Sequence, residues 1–354
     1  MRGKKVLVIF LTLLLAFSSS IQMNAKENNR DTEQMALAFY NANMVDIGGI
    51  YDAGLSIGRK VEFKNFNNEI TAEMYIYYDE QMESHGYVVL DSINKTAPII
   101  EFAYEGQSFI EIFEEQLINK YGSKEVTVQY YYLGGYQYIA EVIGESTTYY
   151  NLLNGSVMED VTAVTMLDEV EFEVSPFQFT STSSTEVNVP GYDLNYYAAV
   201  YFHDAGNCGP TAGVNFCVYY YNQGKTALRY NSWETTYTLL YDYMLTTSNG
   251  TYVQFIKNGL ISYVSDQGYS CSGGLTEVDG MVEMARLEID AGRPVILGLN
   301  GDATYGNHAV VALGYQILSG VTYFRIADGW GSTADRYIHN TNKSIVACVN
   351  LTIK

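Results

Sequence analysis

A cysteine, Cys208, lies between Asn207 and a Gly-Pro pair, and an amphipathic run with helical spacing follows it. We predict a helix from about Pro210 to Asn222, with the proline in its first turn and Gly224 as its end. A thiol at a helix start meets unpaired backbone N–H groups and the positive end of the helix dipole, which favour the thiolate. Because the thiolate is the form that attacks carbon, Cys208 is a candidate nucleophile.

A thiolate nucleophile also needs a base. His308 begins the strand-like run "HAVVALGYQ", and Asp328 ends the next such run, "VTYFRIAD". The intervening turn, 318–320, has arms of nearly equal length, so an antiparallel hairpin would bring His308 and Asp328 to the same end. A carboxylate beside an imidazole orients it and stabilises the cation that pairs with a thiolate. Trp330 could cover this pair, whereas we expect His339 to be an exposed loop residue.

Three motifs resemble the Cys, His and Asn/Asp boxes of the papain-like cysteine peptidases: "NCGPTAG", "GNHAVVALGY" and "ADGWG". The resemblance is closer to the bacterial branch that includes streptopain and the peptidases that process bacteriocin leaders, and it covers roughly Val189 to Lys354. It implies a papain-like α+β domain in which Cys208 is the nucleophile, His308 the general base and acid, and Asp328 the orienting group.

The family usually places a glutamine six residues before the cysteine to donate to the oxyanion, and here that position is Phe202. The backbone N–H of Cys208 can serve as one donor. His203 and Asn207 are the candidates for the second.

The N-terminus has the three-part form of a secretory signal peptide. Lys4 and Lys5 precede an apolar run, Val6–Phe17, and small and polar residues follow as far as Ala25. We therefore predict that residues 1–25 are a signal peptide and that the protein is secreted, either extracellular or associated with a bacterial cell surface. Later apolar runs are shorter than a membrane-spanning helix requires, so we expect no membrane span.

The acidic residues are unevenly distributed along the chain. The formal net charge is −20, of which residues 1–188 contribute −16 and residues 189–354 contribute −4. Neither half has a basic stripe that would bind phosphates, so nucleic acid is not an expected partner.

The first half reads as a prodomain, 26–174, of class α+β with an antiparallel sheet. Strand-like segments rich in Tyr, Val and Ile surround "SFIEIFEEQLINKYG", where Ser108 and Glu111 have capping-box spacing and Gly122 ends a helix. Within this half, "GYVVLDSINKTAPIIEFAYEGQ" resembles, more weakly, the propeptide of streptopain-like zymogens.

A Ser/Thr-rich segment, 175–190, reads as an exposed linker. We predict a processing site within it, from Phe177 to Pro190. The papain-like peptidase domain would then span 191–354.

All four cysteines lie in the second half: Cys208, Cys217, Cys271 and Cys348. Nine helical residues separate Cys208 from Cys217 by about 13 Å, too far for a disulfide. If Cys208 is reserved for chemistry, at most one bridge can form, and Cys271 with Cys348 is one possibility that the sequence leaves open. A structural zinc site is not expected because the chain has no C-x-x-C or clustered His/Cys pattern, and the proposed chemistry requires no metal or organic cofactor.

These observations predict a secreted cysteine endopeptidase made as a zymogen, acting on protein or peptide substrates, with its own prodomain as an intramolecular inhibitor. Two alternatives remain. A papain-like amidase would act on cell-wall peptides, and assays on peptidoglycan against casein would separate it from a peptidase. A catalytically inactive surface or interaction protein could keep the same scaffold, as Phe202 at the glutamine position suggests; it would not react with a thiol-specific active-site probe.

Overall fold

The computed structural model describes residues 32–43, 55–93, 98–122, 126–134, 137–152, 155–158, 161, 185–202, 206–277, 280–300, 307–318, 320–339 and 345–354. The expected signal peptide, the linker residues 175–184 and His203 lie outside these residues. No helix in the described part of the chain is long and apolar enough to cross a membrane.

Six α-helices and fifteen strands are described. The helices are α1 Thr32–Asn43, α2 Phe109–Tyr121, α3 Cys208–Asn222, α4 Trp233–Tyr243, α5 Val253–Asp266 and α6 Met281–Asp290. The strands are β1 Ser56–Lys64, β2 Ile70–Tyr78, β3 Ser84–Asp91, β4 Ile99–Ala103, β5 Thr127–Tyr132, β6 Tyr138–Ile143, β7 Thr147–Asn151, β8 Val157–Met158, β9 Thr185–Asn188, β10 Cys271–Glu277, β11 Val295–Asn300, β12 Asn307–Leu318, β13 Val321–Ala327, β14 Arg336–His339 and β15 Ile345–Ile353.

The N-terminal half places α2 against its sheet. The predicted capping box is present: the Glu111 backbone N–H donates to Ser108 Oγ, and the Ser108 backbone N–H donates to the Glu111 carboxylate. The apolar face of α2 is buried, and Gly122 follows the last helical residue with a φ of 60°. A polar cap at one end and a glycine at the other thus fix the limits of this helix.

The C-terminal half wraps its helices around α3. Every residue of α3 from Gly209 to Tyr220 is buried, which explains why this run is apolar on more than one face. The expected hairpin is also present, because β12 and β13 pair antiparallel with Tyr315 opposite Phe324. The helix start and the hairpin are the two elements that position the candidate catalytic residues.

The two halves form one continuous mixed sheet. Its strand order is β10-β15-β11-β12-β13-β14-β4-β3-β2-β1-β5-β6-β7-β8, with β9 added beside β12. Strand β4 of the N-terminal half pairs antiparallel with β14 of the C-terminal half, and Glu101 lies opposite Ile338. Among the described strands, β1 and β5 form the parallel pair.

Side chains from both halves pack together on this sheet. The Phe102 ring stacks on Tyr337 with centroids 4.7 Å apart, and Tyr323 lies 5.4 Å from the same ring. The Tyr323 hydroxyl donates to the Ile99 carbonyl at 3.1 Å. Removing the N-terminal half would therefore expose a sheet edge and several aromatic rings to water.

The end of the expected linker is ordered and partly buried rather than exposed. Residues 185–188 form β9 and pair with Gly314–Ile317 of β12, and Val189 is fully buried. The pairing of β11 along β12 stops at Ala312, so the backbone groups beyond it are available to β9. The described part of the linker thus belongs to the sheet of the C-terminal half.

The strands decide one possibility that the sequence left open and correct one expectation. Cys271 lies opposite Ile353 and Cys348 lies opposite Thr276, so five residues, about 16 Å, separate the two cysteines along the strands. A Cys271–Cys348 disulfide is therefore excluded, and none of the four cysteines forms a disulfide in the structure. His339 is also not an exposed loop residue, because it is the last residue of β14 and is buried.

Candidate active site

Cys208 is the first residue of α3 and is half-buried. The backbone N–H groups of Ala309, Gly209 and Cys208 itself lie within hydrogen-bonding distance of its sulfur. Burial nevertheless raises the pKa of the thiol above its usual value, and these N–H groups act in the opposite direction. In the full-length chain, desolvation thus outweighs the stabilisation of the thiolate expected from the helix start.

His308 immediately precedes Ala309, whose backbone N–H approaches the Cys208 sulfur, near the start of β12. Its Nε2 lies 2.7 Å from the backbone carbonyl oxygen of Asp328. The imidazole stacks on the Trp330 ring, with centroids 4.0 Å apart and planes at 6°. Desolvation lowers the pKa of His308 to about 4, although the Asp328 carboxylate acts in the opposite direction.

Asp328 contacts His308 through its main chain, whereas its carboxylate shapes the following turn. Oδ1 accepts hydrogen bonds from the backbone N–H groups of Trp330 at 2.8 Å and Gly331 at 3.1 Å. Oδ2 lies 3.3 Å from Nη1 of Arg336. The carboxylate therefore places Trp330 over the imidazole, and the carbonyl is the group that meets the ring.

The segment before Cys208 is fixed to this turn. The Ala199 backbone N–H donates to the Gly329 carbonyl at 2.6 Å, and the Tyr196 N–H donates to the Ser332 carbonyl at 2.8 Å. These bonds hold the approach to α3 against the turn that follows Asp328. These two bonds consequently tie the helix start to the end of the hairpin.

Asn207, the described candidate for the second oxyanion donor, uses its side chain to hold the backbone before α3. Asn207 Nδ2 donates to the carbonyls of Ala199 at 2.9 Å and Phe202 at 2.8 Å, so its side chain closes the loop before the helix. Phe202 is buried and stacks on Tyr237 with centroids 4.1 Å apart. His203 lies outside the described residues. The backbone N–H of Cys208 stays the candidate oxyanion donor.

Two charged residues next to the site were not predicted from the sequence. Arg336, on β14, pairs through Nη2 with the carboxylate of Glu101, on β4, and both side chains are buried. The Tyr87 hydroxyl donates to the other Glu101 oxygen at 2.9 Å. The sequence contains one acidic residue within the apolar run "IIEFA" and one basic residue at the start of "RYIH". Because a charge in a buried strand requires a partner, these two residues could have been predicted to pair.

Other polar clusters lie apart from these residues. In the described part of the chain, Asp79, Glu83 and His85 bring possible metal-ligand atoms within 4.8 Å of one another. However, His85 and Asp79 already pair at 2.8 Å, and Asp79 Oδ1 accepts two backbone N–H groups of its turn. This cluster is explained by the turn between β2 and β3.

A cavity of about 460 Å³ lies near the far end of α3, where Tyr221 and Asn222 contribute to its lining. Thirteen or more residues of helix separate these side chains from Cys208, which corresponds to about 20 Å. Tyr197 and Thr333 also line it, whereas Cys208, His308 and Asp328 do not.

Residues 196–349 match the model of the Peptidase_C39 like family. The matched span contains Cys208, His308 and Asp328, and the N-terminal half lies outside it. The match supports the resemblance to bacterial papain-like cysteine peptidases.

Among solved structures, the chain matches the Pseudomonas avirulence protein AvrPphB at 13% sequence identity, over 44% of this chain and 98% of that one, with a TM-score of 0.23. No curated protein matches the sequence.

Proposed function

We propose that this protein is a secreted cysteine endopeptidase, made as a zymogen, that hydrolyses peptide bonds through Cys208, His308 and Asp328. The observation that supports this most directly is the meeting of α3 and β12. There the Ala309 N–H contacts the Cys208 sulfur, while the neighbouring His308 is held by the Asp328 carbonyl. A thiol beside an oriented imidazole is the arrangement that nucleophilic catalysis requires.

In the proposed reaction, His308 takes the proton of the Cys208 thiol and the sulfur attacks the peptide carbonyl carbon. The Cys208 backbone N–H donates to the oxyanion that forms. When the intermediate collapses, the C–N bond breaks and His308 gives its proton to the leaving amine. Water then attacks the acyl-enzyme with His308 as base, the C–S bond breaks, and the thiol recovers its proton.

Two neighbours prepare His308 for these proton transfers. The Asp328 carbonyl accepts from Nε2, which leaves the other ring nitrogen for the thiol proton. The Trp330 ring covers one face of the imidazole and keeps water from the hydrogen bond behind it. Both effects favour one ring orientation and so lower the entropic cost of the proton transfer.

We further propose that the N-terminal half is the inhibitory prodomain. Its support is the pairing of β4 with β14 and the direction of the pKa shifts of Cys208 and His308 in the full-length chain, both of which favour the uncharged group. A thiol with a raised pKa beside an imidazole with a lowered one forms few thiolate–imidazolium pairs at neutral pH. Secretion is proposed on the signal-like N-terminus.

The test is mass spectrometry of purified protein after incubation with iodoacetamide, with and without reductant, combined with hydrolysis assays on casein and on purified peptidoglycan. In the processed protein we expect preferential alkylation of Cys208 and cleavage of casein, and neither in Cys208→Ala. Cleavage of peptidoglycan alone would point to a cell-wall amidase. Absence of both Cys208 labelling and hydrolysis in the processed protein would indicate an inactive scaffold.

A further inference from the structure

Arg336 lies between the turn that follows Asp328 and the N-terminal half. Its Nη1 faces Asp328 Oδ2 at 3.3 Å, and its Nη2 pairs with Glu101 of β4. The guanidinium carbon also lies 5.6 Å from the Trp330 ring centre and 5.5 Å from that of Phe109, the first residue of α2. One side chain thus contacts the turn that holds His308 and two elements of the N-terminal half.

The ionisable groups around Arg336 come from several elements. Besides Glu101 and Asp328, they include Tyr87 on β3, which donates to Glu101, Tyr138 on β6, which is fully buried, and His308 on β12. The guanidinium is therefore shared between two carboxylates in a site with little water. Away from solvent, such a pairing is stronger than the same contact on a surface.

We propose that Arg336 is a positioning residue that draws the Asp328 carboxylate away from His308 while the N-terminal half covers it. This inference rests on the proposed function of Cys208 and His308. In the N-terminal half, Glu101 is the second carboxylate that binds Arg336. Strand β4 and Phe109 shield the guanidinium from water. His308 is left with the main-chain carbonyl of Asp328 as its partner, and the imidazolium lacks the full support of a carboxylate.

The proposal gives the N-terminal half a means of restraining the site besides blocking it. When β4 departs, β14 becomes a sheet edge and Arg336 meets water. Its attraction for Asp328 is then screened, and Oδ2 can turn towards the imidazole. The Asp328 turn itself stays in place, because Oδ1 keeps its bonds to the Trp330 and Gly331 amides.

The stacked tryptophan provides a probe that does not depend on activity. The chain has two tryptophans, so Trp233→Phe leaves Trp330 as the only tryptophan in the full-length protein, and excitation at the red edge of the indole band selects it over the tyrosines. Protonated imidazole quenches a stacked indole more strongly than neutral imidazole does. A pH titration of the Trp330 emission should therefore report the protonation of His308, with a midpoint near its pKa of about 4 in the parent protein.

The decisive variants are Arg336→Gln and Glu101→Gln, each in the full-length Trp233→Phe chain. In Arg336→Gln, we expect the midpoint of the fluorescence titration to rise by about one pH unit. We also expect alkylation of Cys208 at pH 6 to become about tenfold faster. Without the Glu101 charge, Arg336 has only Asp328 as a carboxylate partner, so alkylation should slow. Opposite changes in the alkylation rate of the two variants would indicate that the two carboxylates share one guanidinium. A general loosening of the fold would change both rates in the same direction.

Arg325→Gln is the matched control. Arg325 is a buried arginine on the adjacent strand β13 that donates to Tyr337 and pairs with Glu186, without contacting Asp328. It should leave the midpoint unchanged. An unchanged midpoint in Arg336→Gln, equal shifts in Arg336→Gln and Arg325→Gln, or shifts of the same sign in the Arg336 and Glu101 variants would each overturn the proposal.

If Arg336→Gln does not fold, Arg336→Lys decides the question. A lysine keeps the charge but lacks the fork that holds two carboxylates, so a smaller rise in the midpoint is expected and no rise would overturn the proposal. Failure of the proposed function looks different. In that case wild-type Cys208 would show neither preferential alkylation nor hydrolysis, whereas the Trp330 titration would still report the effect of Arg336.

Discussion

At the scale of single residues, burial in the full-length chain shifts the pKa values of Cys208 and His308 towards their uncharged forms. Desolvation raises the pKa of Cys208 and lowers that of His308, so both shifts oppose a thiolate–imidazolium pair. The same residues need solvent access to act on a substrate. A change in cover, rather than a change in the identity of the groups, is therefore sufficient to alter their reactivity.

The two cysteines of α3 should respond differently to removal of the thiol. We expect Cys208→Ala to abolish hydrolysis with little change in stability. Cys217 is fully buried among apolar side chains, so Cys217→Ala should cost about 1–2 kcal/mol of unfolding free energy and keep its activity. Hydrolysis rates and thermal denaturation of both variants check this. Equal loss of activity at unchanged stability would contradict the assignment of Cys208.

Asp328 should tolerate asparagine better than alanine. An asparagine Oδ1 can still accept from the Trp330 and Gly331 amides, so the turn and its indole stay over His308. Alanine removes this acceptor, and we expect kcat to fall more than tenfold below the asparagine variant with KM little changed. Steady-state kinetics of the processed enzymes measure the difference. If the two variants are equally inactive, the charge of the carboxylate matters more than its role in the turn.

At the scale of elements, β14 joins the two halves and ends in a buried histidine. His339 is 4% exposed, and burial lowers its pKa to about 4, although it also contacts the Ile99 backbone of β4. An unfolded histidine has a pKa near 6.5, so the unfolded chain binds the proton first as the pH falls. Stability from neutral His339 is thus complete above about pH 6.5 and is lost as the pH approaches 4.

His339→Gln should therefore flatten the acid side of the stability profile. Over the interval from pH 6.5 to 4, the wild-type protein should lose about 3 kcal/mol more unfolding free energy than the variant, because glutamine does not titrate. Denaturant unfolding at several pH values measures this loss. Gln can still donate to the Ile99 carbonyl, so the strand junction should survive the change. Parallel pH profiles for the two proteins would show that folding does not shift the pKa of His339.

The aromatic contacts between β4 and β14 should couple the stability of the halves. Phe102 is fully buried against Tyr337 and Tyr323, and Phe102→Ala should cost about 3–5 kcal/mol. Ile118→Ala, at a side chain that is 66% exposed on α2, is the control and should change stability little. We expect one lowered calorimetric transition for Phe102→Ala, because both halves share the core it opens. Two separate transitions would show that the halves unfold independently.

At the scale of the whole molecule, cleavage of the linker should not by itself separate the halves. The sheet pairing between β4 and β14, the Glu101–Arg336 pair and the shared aromatic packing persist after the chain is cut. We expect cleavage at or before Thr185, since β9 belongs to the sheet of the C-terminal half. The two products should co-elute in size-exclusion chromatography and separate only in denaturant.

N-terminal sequencing of the C-terminal product, together with chromatography under native conditions, tests both statements. Cys208→Ala is the control and should remain full length until active enzyme is added. A product that begins within β9, or fragments that separate without denaturant, would show that the junction is weaker than its contacts indicate.

The sequence by itself determined the local features. The thiol at a helix start, the histidine and aspartate at the ends of a hairpin, and the capping box of α2 all depend on residues close together in the chain. The tertiary structure decided what depends on residues far apart. It places Glu101 against Arg336 across 235 positions, makes β9 a strand rather than an exposed linker, and turns the Asp328 carboxylate towards Arg336. The physical reason is that hydrogen-bond partners and burial are set by strand neighbours from other parts of the chain, which local spacing does not specify.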